Sequence, residues 1–211
     1  MFSSRSWAGR LLAKKLAVGV KRAILLAIPR GGVVVANSIK KSLGWPLSLV
    51  VTKKLSAPGN EELAIGAVGD NRAAVFLNRT LIDQLKIDDD YLDQEINLKI
   101  NQVRRWKELV SGSRLSLPLA GKRVVIIDDG AATGATIIAA VRQARGERPK
   151  EVIVAVPVIS RSALDQVKRE ADRVIYLKSP ELFFSVSQFY RKFEQVSDKN
   201  VRRILAGLRM I

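Results

Sequence analysis

Two adjacent carboxylates, Asp128 and Asp129, follow the apolar run VVII and precede a segment of Gly, Ala and Thr that extends to Thr136. The apolar run predicts a buried strand, and the small residues predict a tight loop that enters a helix. Such a turn directs backbone N–H groups and the positive end of a helix towards one point, which is a binding site for phosphate. The carboxylates would repel that phosphate, so they fit neighbouring neutral hydroxyls or a divalent cation. A phosphate beside a diol describes a ribose 5-phosphate.

Competing explanations of this segment are weaker. A P-loop ends in Gly-Lys-Ser/Thr, whereas this loop ends in Gly134-Ala135-Thr136 and contains no lysine. The dinucleotide-binding pattern GxGxxG is absent. A strand that ends in two exposed acids before a tight turn is the plain structural alternative, and the pair of acids alone would not exclude it. The complete segment VVIIDDGAATGAT is much harder to explain in that way.

The residue types exclude several classes of chemistry. The 211 residues include no Cys and no His, which excludes disulfides, thiolate nucleophiles, imidazole-bound zinc and Ser-His-Asp hydrolysis. The net charge is +16, and residues 1–60 carry eleven Lys or Arg with no acid. The resulting positive field suits a polyanionic substrate, nucleic acid or an anionic membrane surface, or it only aids solubility.

Short β-branched runs alternate with helical stretches along the chain. Strands are predicted at 23–28, 46–54, 65–68, 73–77, 123–128, 151–158 and 171–177, with a hairpin formed by 65–68 and 73–77. Helices are predicted after the first strand, at 88–110, near 134–146 and at 160–170. The pattern indicates an α/β fold, a Rossmann-like parallel sheet flanked by helices, in a single domain over 1–211.

The N-terminal segment is basic and amphipathic, which is typical both of a transit peptide and of an ordinary first helix. We favour the helix, with Ser6 as its N-cap and a buried face made by Trp7, Leu11, Leu12 and Leu16. No apolar run approaches the length of a membrane span. We therefore expect a cytoplasmic protein with no membrane partner.

The segment VVIIDDGAATGAT resembles the phosphoribosyl-pyrophosphate (PRPP) signature of type I phosphoribosyltransferases. IPRGGVVVA at 28–36 resembles the pyrophosphate loop of that family. The N-terminal FSSRSWAGRLLAKKL, VTKKLSAPGNEELAIGAV at 51–68 and SPELFFSVSQFYRKFEQVSD at 179–198 are similar to a bacterial branch of uncharacterised members. The resemblance covers most of the chain, and it supports the N-terminal segment as mature protein.

The resemblance implies transfer of a 5-phosphoribosyl group from PRPP to a nitrogenous base, in nucleotide salvage or metabolism. Asp128 and Asp129 would bind the ribose hydroxyls as catalytic residues. Mg²⁺ would bridge the pyrophosphate and those hydroxyls, contacting the two acids only indirectly. The implied binding residues for the 5′-phosphate are Gly130, Ala131, Ala132, Thr133, Gly134, Ala135 and Thr136.

The resemblance implies that the pyrophosphate is bound by Arg30, as a catalytic residue, and by the amides of Gly31 and Gly32. It also places a cis peptide bond at Arg30–Gly31. Lys53 and Lys54 follow the second predicted strand and are placed to add positive charge there, although a solvated strand end is the alternative. Cations and amides at this place would stabilise the departing pyrophosphate without any histidine.

Two positions depart from common family patterns. Ala135 replaces a frequent glycine, which requires ordinary helical angles at that position. Ala132 stands where hypoxanthine-guanine relatives have a carboxylate and where adenine-type relatives also have alanine, so it disfavours one base class without identifying another. For the acceptor base, the aromatic residues near the C-terminus predict stacking by Phe183, Phe184 and Tyr190, although docking of the segment onto the sheet is the alternative.

The family also implies a small variable hood, which we expect from 179–211, from 70–115 or from both, and a homodimer. A second hypothesis is a PRPP-sensing regulator that binds nucleic acid through its basic face. The charge supports it, but no helix-turn-helix or RNA-binding aromatic motif is present. A phosphoribohydrolase-like or salvage role on another sugar phosphate is a third, weaker hypothesis.

Overall fold

A five-stranded parallel sheet forms the centre of the computed structural model, which describes residues 1–111 and 117–207. The strand order is β2-β1-β6-β7-β8. The strands are β1 (Ile24–Ala27), β2 (Leu47–Leu49), β6 (Arg123–Ile127), β7 (Glu151–Val158) and β8 (Arg173–Lys178). Because all five run in the same direction, the loops that follow them meet at one edge of the sheet.

Helices cover both faces of this sheet, which confirms the predicted α/β class. Seven are described: α1 (Arg5–Gly19), α2 (Gly31–Leu43), α3 (Arg79–Gln84), α4 (Asp89–Ser111), α5 (Ala135–Gly146), α6 (Arg161–Glu170) and α7 (Asp198–Ala206). In β6, Val125 and Ile127 pack with α1, α2, α4 and α7, whereas Val124 and Ile126 pack with α5 and α6. This alternation explains why the strand is apolar throughout, since both of its faces are buried.

A second sheet is antiparallel and has the order β3-β4-β5, with β3 (Lys53–Ala57), β4 (Asn60–Val68) and β5 (Val75–Leu77). The predicted hairpin is confirmed by the pairing of β4 with β5. The single strand predicted at 46–54 is wrong. It divides after Leu49, because β2 stays parallel to β1 while β3 leaves the main sheet and pairs with β4.

The first helix starts earlier than the sequence predicted. Ser4, and not Ser6, is its N-cap, and the Ser4 hydroxyl accepts a hydrogen bond from the Trp7 amide at 3.2 Å. This register leaves the Trp7 side chain 42% exposed. The predicted burial of Leu12 and Leu16 is confirmed, and Ala8 takes the place on the buried face that was predicted for Trp7. The long helix agrees with its prediction at 88–110 to within one residue at each end.

The segments before α1 and before α7 are joined by backbone hydrogen bonds. The Phe2 amide donates to the Phe189 carbonyl at 2.7 Å, and the Arg191 amide donates to the Phe2 carbonyl at 2.8 Å. The Phe2 ring also packs against Tyr190, with 5.3 Å between the ring centroids. Consequently, residues close to the two ends of the described chain lie side by side. Among the described residues, no helix combines the length and the apolar character needed to cross a bilayer.

The closeness of α1 and α2 generates a stability prediction. A Cβ atom on Gly9 would lie 2.6 Å from the Val35 carbonyl oxygen and 2.8 Å from the Ser38 Cβ. We expect Gly9→Ala to lower the free energy of unfolding by about 1–3 kcal/mol, because the two helices must separate. Urea-induced unfolding measures this change.

Gly146→Ala is the matched control. Gly146 is the last residue of α5, and a Cβ atom there would meet nothing within 4 Å. This variant should be as stable as the parent chain or slightly more stable, because alanine favours helix. Equal stability of the Gly9→Ala and Gly146→Ala variants would contradict the close helix contact.

Candidate functional site

Asp128 and Asp129 directly follow β6, at the edge of the sheet where the parallel strands end. The Asp128 Oδ1 atom accepts a hydrogen bond from the Asp129 amide at 2.8 Å. The Asp129 Oδ2 atom accepts one from the Arg5 Nε at 2.7 Å. The hydroxyl of Tyr190 donates to the Asp129 carbonyl oxygen at 2.6 Å. The predicted carboxylate pair is therefore held between α1 and the C-terminal segment.

This environment disfavours two negative charges in the ligand-free protein. Burial raises the pKa of Asp128 well above its usual value, and the neighbouring Asp129 carboxylate adds to the effect. Burial also raises the pKa of Asp129, while the Arg5 guanidinium opposes the rise. Burial, with a contribution from the Asp129 charge, also raises the pKa of Tyr190, so its hydroxyl stays protonated and donates. Hydroxyl donors of a ligand would complete the hydrogen bonding of these carboxylates.

The loop after β1 lies directly against the carboxylates. A Cβ atom on Gly31 would lie 1.9 Å from the Asp129 Oδ2, and one on Gly32 would lie 2.5 Å from the Ile127 carbonyl oxygen. No side chain fits at either position, so the glycines are required by close approach. The loop contains a cis peptide bond at Pro29–Arg30. The expected position, Arg30–Gly31, is therefore wrong by one residue.

The loop after β6 leads into α5, as the sequence predicted, and this loop with the first turn of α5 is the candidate phosphate cradle. Gly134 has a φ of 79°, and helical geometry begins at Ala135, as the sequence required. The first helical hydrogen bond runs from the Ile138 amide to the Gly134 carbonyl, so the amides of the first helical turn, Thr136 among them, have no partner within the helix. Their N–H groups and the positive helix end converge on the loop.

The residues of the cradle differ in their exposure and in their backbone hydrogen bonds. Ala132 and Thr133 are exposed at its surface, and Thr136 is half-buried. Ala131 is different, because its amide donates to the Val158 carbonyl at 2.9 Å. Gly130 is enclosed, since a Cβ atom there would lie 2.6 Å from Val186. The Ala131 amide is therefore already used within the protein, and binding of a phosphate by Gly130–Thr136 stays a prediction.

The predicted pyrophosphate cations lie in different surroundings. The Arg30 Nε lies 2.9 Å from Asp198 Oδ1 in the first turn of α7. The Trp106 Nε1 donates to the same oxygen at 3.3 Å. Lys53 is half-buried and Lys54 exposed in β3, and within residues 1–111 and 117–207 neither has an acid at ion-pair distance.

The aromatic residues of the C-terminal segment are divided between packing and exposure. Tyr190 is 5% exposed and lies between Phe2 and Phe193, so its ring packs the segment onto α1. Phe183 packs on Phe189 with 5.0 Å between the centroids, and Phe184 is 84% exposed. A role for Phe183 or Phe184 in binding an acceptor stays a prediction.

The sequence did not indicate Arg5 as a residue of the candidate site, and it indicated Phe193 only as one of several C-terminal aromatic residues. The Arg5 guanidinium lies 3.6 Å above the centroid of the Phe193 ring, and its Nη1 donates to the Glu194 carbonyl at 2.7 Å. Arg5 lies in the FSSRSWAGR segment, whose resemblance to the bacterial branch implies no role for individual residues. One basic residue among eleven carries no pattern that identifies its partner.

A cleft of about 320 Å³ opens beside the carboxylates and is lined by Arg5, Arg30, Gly31, Phe193, Gln195 and Val196. A second cleft, of about 390 Å³, shares Arg5, Gln195 and Val196 with it and continues along α7 to Arg203. In the first cleft, Arg5, Arg30 and Gln195 offer hydrogen-bond donors, and Phe193 and Val196 offer apolar surface. Such a cleft can hold a ligand that is rich in oxygen atoms.

No cluster of three acidic side chains that could hold a metal ion occurs in the described part of the chain. The Asp129 Oδ2 is bound by Arg5, and the Asp128 Oδ1 by the Asp129 amide. These oxygens retain lone pairs for water or hydroxyls. The residues fit Mg²⁺ only if most of its ligands come from a bound phosphate compound and water, which is the usual manner for this ion.

The unfavourable charge of Asp128 generates a prediction. We expect Asp128→Asn to raise the free energy of unfolding of the ligand-free protein by about 0.5–2 kcal/mol at neutral pH, because a buried negative charge is removed. The raised pKa means that the folded chain binds a proton at Asp128 more tightly than the unfolded chain does. The gain should therefore be fully present above the folded pKa and disappear as the pH falls below the ordinary range of aspartate.

Thermal and urea unfolding across a pH range of about 3–8 measures this gain, with Asp165→Asn as the control. Asp165 is exposed on α6, so its replacement should change stability little at any pH. An Asp128→Asn variant that is less stable than the parent chain at neutral to mildly alkaline pH would contradict the interpretation.

A family model and a relative of similar sequence both point to a phosphoribosyl transferase domain. The family model for the phosphoribosyl transferase domain matches residues 5–194. A Mycobacterium tuberculosis protein with a provisional phosphoribosyl transferase name is 39% identical over 202 residues, which is 95% of this chain and 45% of the relative. The chain thus spans less than half the length of that relative.

Solved structures share the fold. The crystal structure of TT1426 from Thermus thermophilus has a TM-score of 0.80 and 38% identity, and the match covers 97% of each chain. A hypothetical protein from Neisseria gonorrhoeae, crystallised with bound ppGpp, has a TM-score of 0.55 and 14% identity, over 99% of this chain and 97% of that one. The second similarity concerns the fold alone.

Proposed function

The chain belongs to the phosphoribosyl transferase domain family, and from this premise we propose that it transfers the 5-phosphoribosyl group of PRPP to a nitrogenous base. The bond from ribose C1′ to the pyrophosphate oxygen breaks, and its electrons leave with pyrophosphate. A bond from C1′ to the acceptor nitrogen forms, and that nitrogen loses its proton. The observation that supports the proposal most strongly is the contact of the Gly31 loop with the carboxylates beside the α5 cradle.

In this proposal, each loop binds one part of PRPP. Asp128 and Asp129 accept hydrogen bonds from the two ribose hydroxyls. Amides after Ala131, with the hydroxyls of Thr133 and Thr136, bind the 5′-phosphate. Because little covalent assistance is needed, binding the three parts in one orientation provides most of the catalysis.

The departing pyrophosphate is bound by Arg30 with the amides of Gly31 and Gly32. Lys53 and Lys54, at the start of β3 soon after the end of β2, contribute further positive charge to this anion. Mg²⁺, reached by Asp128 and Asp129 through hydroxyls or water, would supply further neutralisation of the pyrophosphate charge. Stabilisation of this anion lowers the barrier, since negative charge accumulates on it as the bond breaks.

The acceptor would enter the cleft between Arg30 and Phe193, under a hood formed by the C-terminal segment. The hood ranges 70–115 and 179–211 include 112–115 and 208–211, which lie outside the described residues. Guanidinium and amide groups along this cleft suit a base with carbonyl or carboxylate oxygens. A role in nucleotide metabolism, a single domain over 1–211, a homodimer and a cytoplasmic location remain predictions of the family resemblance.

Pyrophosphate release tests the proposed reaction. The protein is incubated with PRPP, Mg²⁺ and a panel of purine and pyrimidine bases, and base-dependent pyrophosphate is measured. In parallel, the double variant Asp128→Asn/Asp129→Asn should lose PRPP affinity by at least about 100-fold, because two hydrogen bonds to charged groups are lost. Asp165→Asn should bind normally. Undiminished affinity of the folded double variant would contradict the assignment.

The ion pair between Arg30 and Asp198 leads to a second prediction. Asp198 competes with pyrophosphate for Arg30, and exposed pairs of this kind contribute up to about 1 kcal/mol. Asp198→Asn should therefore strengthen pyrophosphate binding by up to about five-fold, as measured by calorimetry. Arg30→Ala should weaken pyrophosphate more than ribose 5-phosphate.

Asp93→Asn serves as a control, because Asp93 makes a comparable exposed ion pair with Arg72. Its replacement should leave pyrophosphate binding unchanged. Equal losses of pyrophosphate and ribose 5-phosphate in Arg30→Ala would show that the loop after β1 binds something other than pyrophosphate.

A second candidate function is a PRPP-sensing regulator that binds nucleic acid. The exposed cations of α1, including Arg10 and Lys14, support it. Retention on DNA as a function of salt distinguishes it from an enzyme. A steep decrease of affinity with salt, together with no base-dependent pyrophosphate release, would favour the regulator.

A further inference from the structure

We infer, on the basis of the proposed function, that Arg5 is a positioning residue of the ribose site. Arg5 fixes the Asp129 carboxylate so that it accepts a hydrogen bond from one ribose hydroxyl. Arg5 thereby contributes to the preference for ribose phosphates over deoxyribose phosphates. It acts through Asp129 and lies outside the loops that carry the family motifs.

Three contacts fix the Arg5 guanidinium. Its Nε donates to the Asp129 Oδ2 at 2.7 Å, and its Nη1 donates to the Glu194 carbonyl at 2.7 Å. Its central carbon, Cζ, lies 3.6 Å from the centroid of the Phe193 ring. The side chain is only 10% exposed. A guanidinium bound on two edges and one face has little freedom, so it transmits its own orientation to the carboxylate.

Asp129 can bind Arg5 and a ligand together. A carboxylate offers about four lone-pair positions, and Arg5 uses one of those on Oδ2. Gly31 lies against the same oxygen, because a Cβ atom there would be 1.9 Å from Oδ2 and 3.0 Å from the Arg5 Nε. Oδ2 is thus enclosed by protein, so a ligand hydroxyl would reach Asp129 through Oδ1.

Anchoring of the N-terminal segment does not require this ion pair. The backbone hydrogen bonds of Phe2 to Phe189 and Arg191, with the packing of Phe2 on Tyr190, already attach the segment. A buried ion pair contributes little net stability, because both groups lose hydration. The placement of Arg5 on the carboxylate proposed to bind ribose is therefore better explained by the orientation of that carboxylate.

Binding measurements with four ligands test the inference. Calorimetry gives the affinities of ribose 5-phosphate, its 2-deoxy and 3-deoxy analogues and inorganic phosphate for the parent chain, Arg5→Gln, Arg5→Lys and Arg10→Gln. Arg10 is an exposed arginine on the same helix. We expect Arg5→Gln to reduce the preference for ribose 5-phosphate over one deoxy analogue by about ten-fold, while inorganic phosphate binds as before. Arg5→Lys should lose less of this preference, and Arg10→Gln should lose none of it.

The outcomes separate this inference from the proposed function. A parent chain that binds ribose 5-phosphate no better than either deoxy analogue would overturn the proposed function itself. A parent chain that discriminates, with an Arg5→Gln variant that keeps both preferences, would overturn only the role of Arg5. If Arg5→Gln does not fold, Arg5→Lys decides, because its ammonium cannot make both hydrogen bonds of the guanidinium. Preferences equal to those of the parent chain would then overturn the inference.

Discussion

Placing Asp128 and Asp129 side by side at a buried strand end is unfavourable, because each carboxylate loses hydration and repels the other. The surrounding structure reduces this penalty in a specific way. The Asp129 amide binds Asp128, and the Arg5 guanidinium binds Asp129. What remains unsatisfied is a set of carboxylate lone pairs at the sheet edge, next to helix amides that have no partner within the helix. A ligand with hydroxyls and a phosphate would satisfy both, as the proposed function requires.

The fold and the central loop were predictable from the sequence, because local patterns determine them. Continuous apolar runs predicted β6 and β7 to within one residue, and the small residues after Asp129 predicted the entry into α5. The prediction failed where pairing partners decide the outcome. Nothing in PLSLVVTKK shows that the chain leaves one sheet after Leu49 and joins another. The N-cap of α1 was missed by two residues, since Ser4 and Ser6 both have the required side chain.

The candidate site was predictable only in the parts that are contiguous in sequence. The carboxylates and the cradle belong to one segment, so a motif reveals them. Arg5, Phe193 and Asp198 come from distant segments that the fold brings to the same edge, and each is a common residue type without a local pattern. Tyr190, in contrast, was indicated by the sequence but has a different role in the structure. Its aromatic character suggested contact with a base, whereas its position between Phe2 and Phe193 uses the ring for packing and the hydroxyl for Asp129.

The bond from Arg5 to the Glu194 carbonyl connects residues 189 positions apart, and this has a consequence for the order of folding. A ribosome releases the N-terminal helix and the first strands long before residue 194 is synthesised. The nascent chain can therefore build most of its parallel sheet while the carboxylate edge still lacks its cover. The contact between Arg5 and Glu194 cannot form before residue 194 has been synthesised, so the cover of the carboxylate edge can close only after translation of that segment.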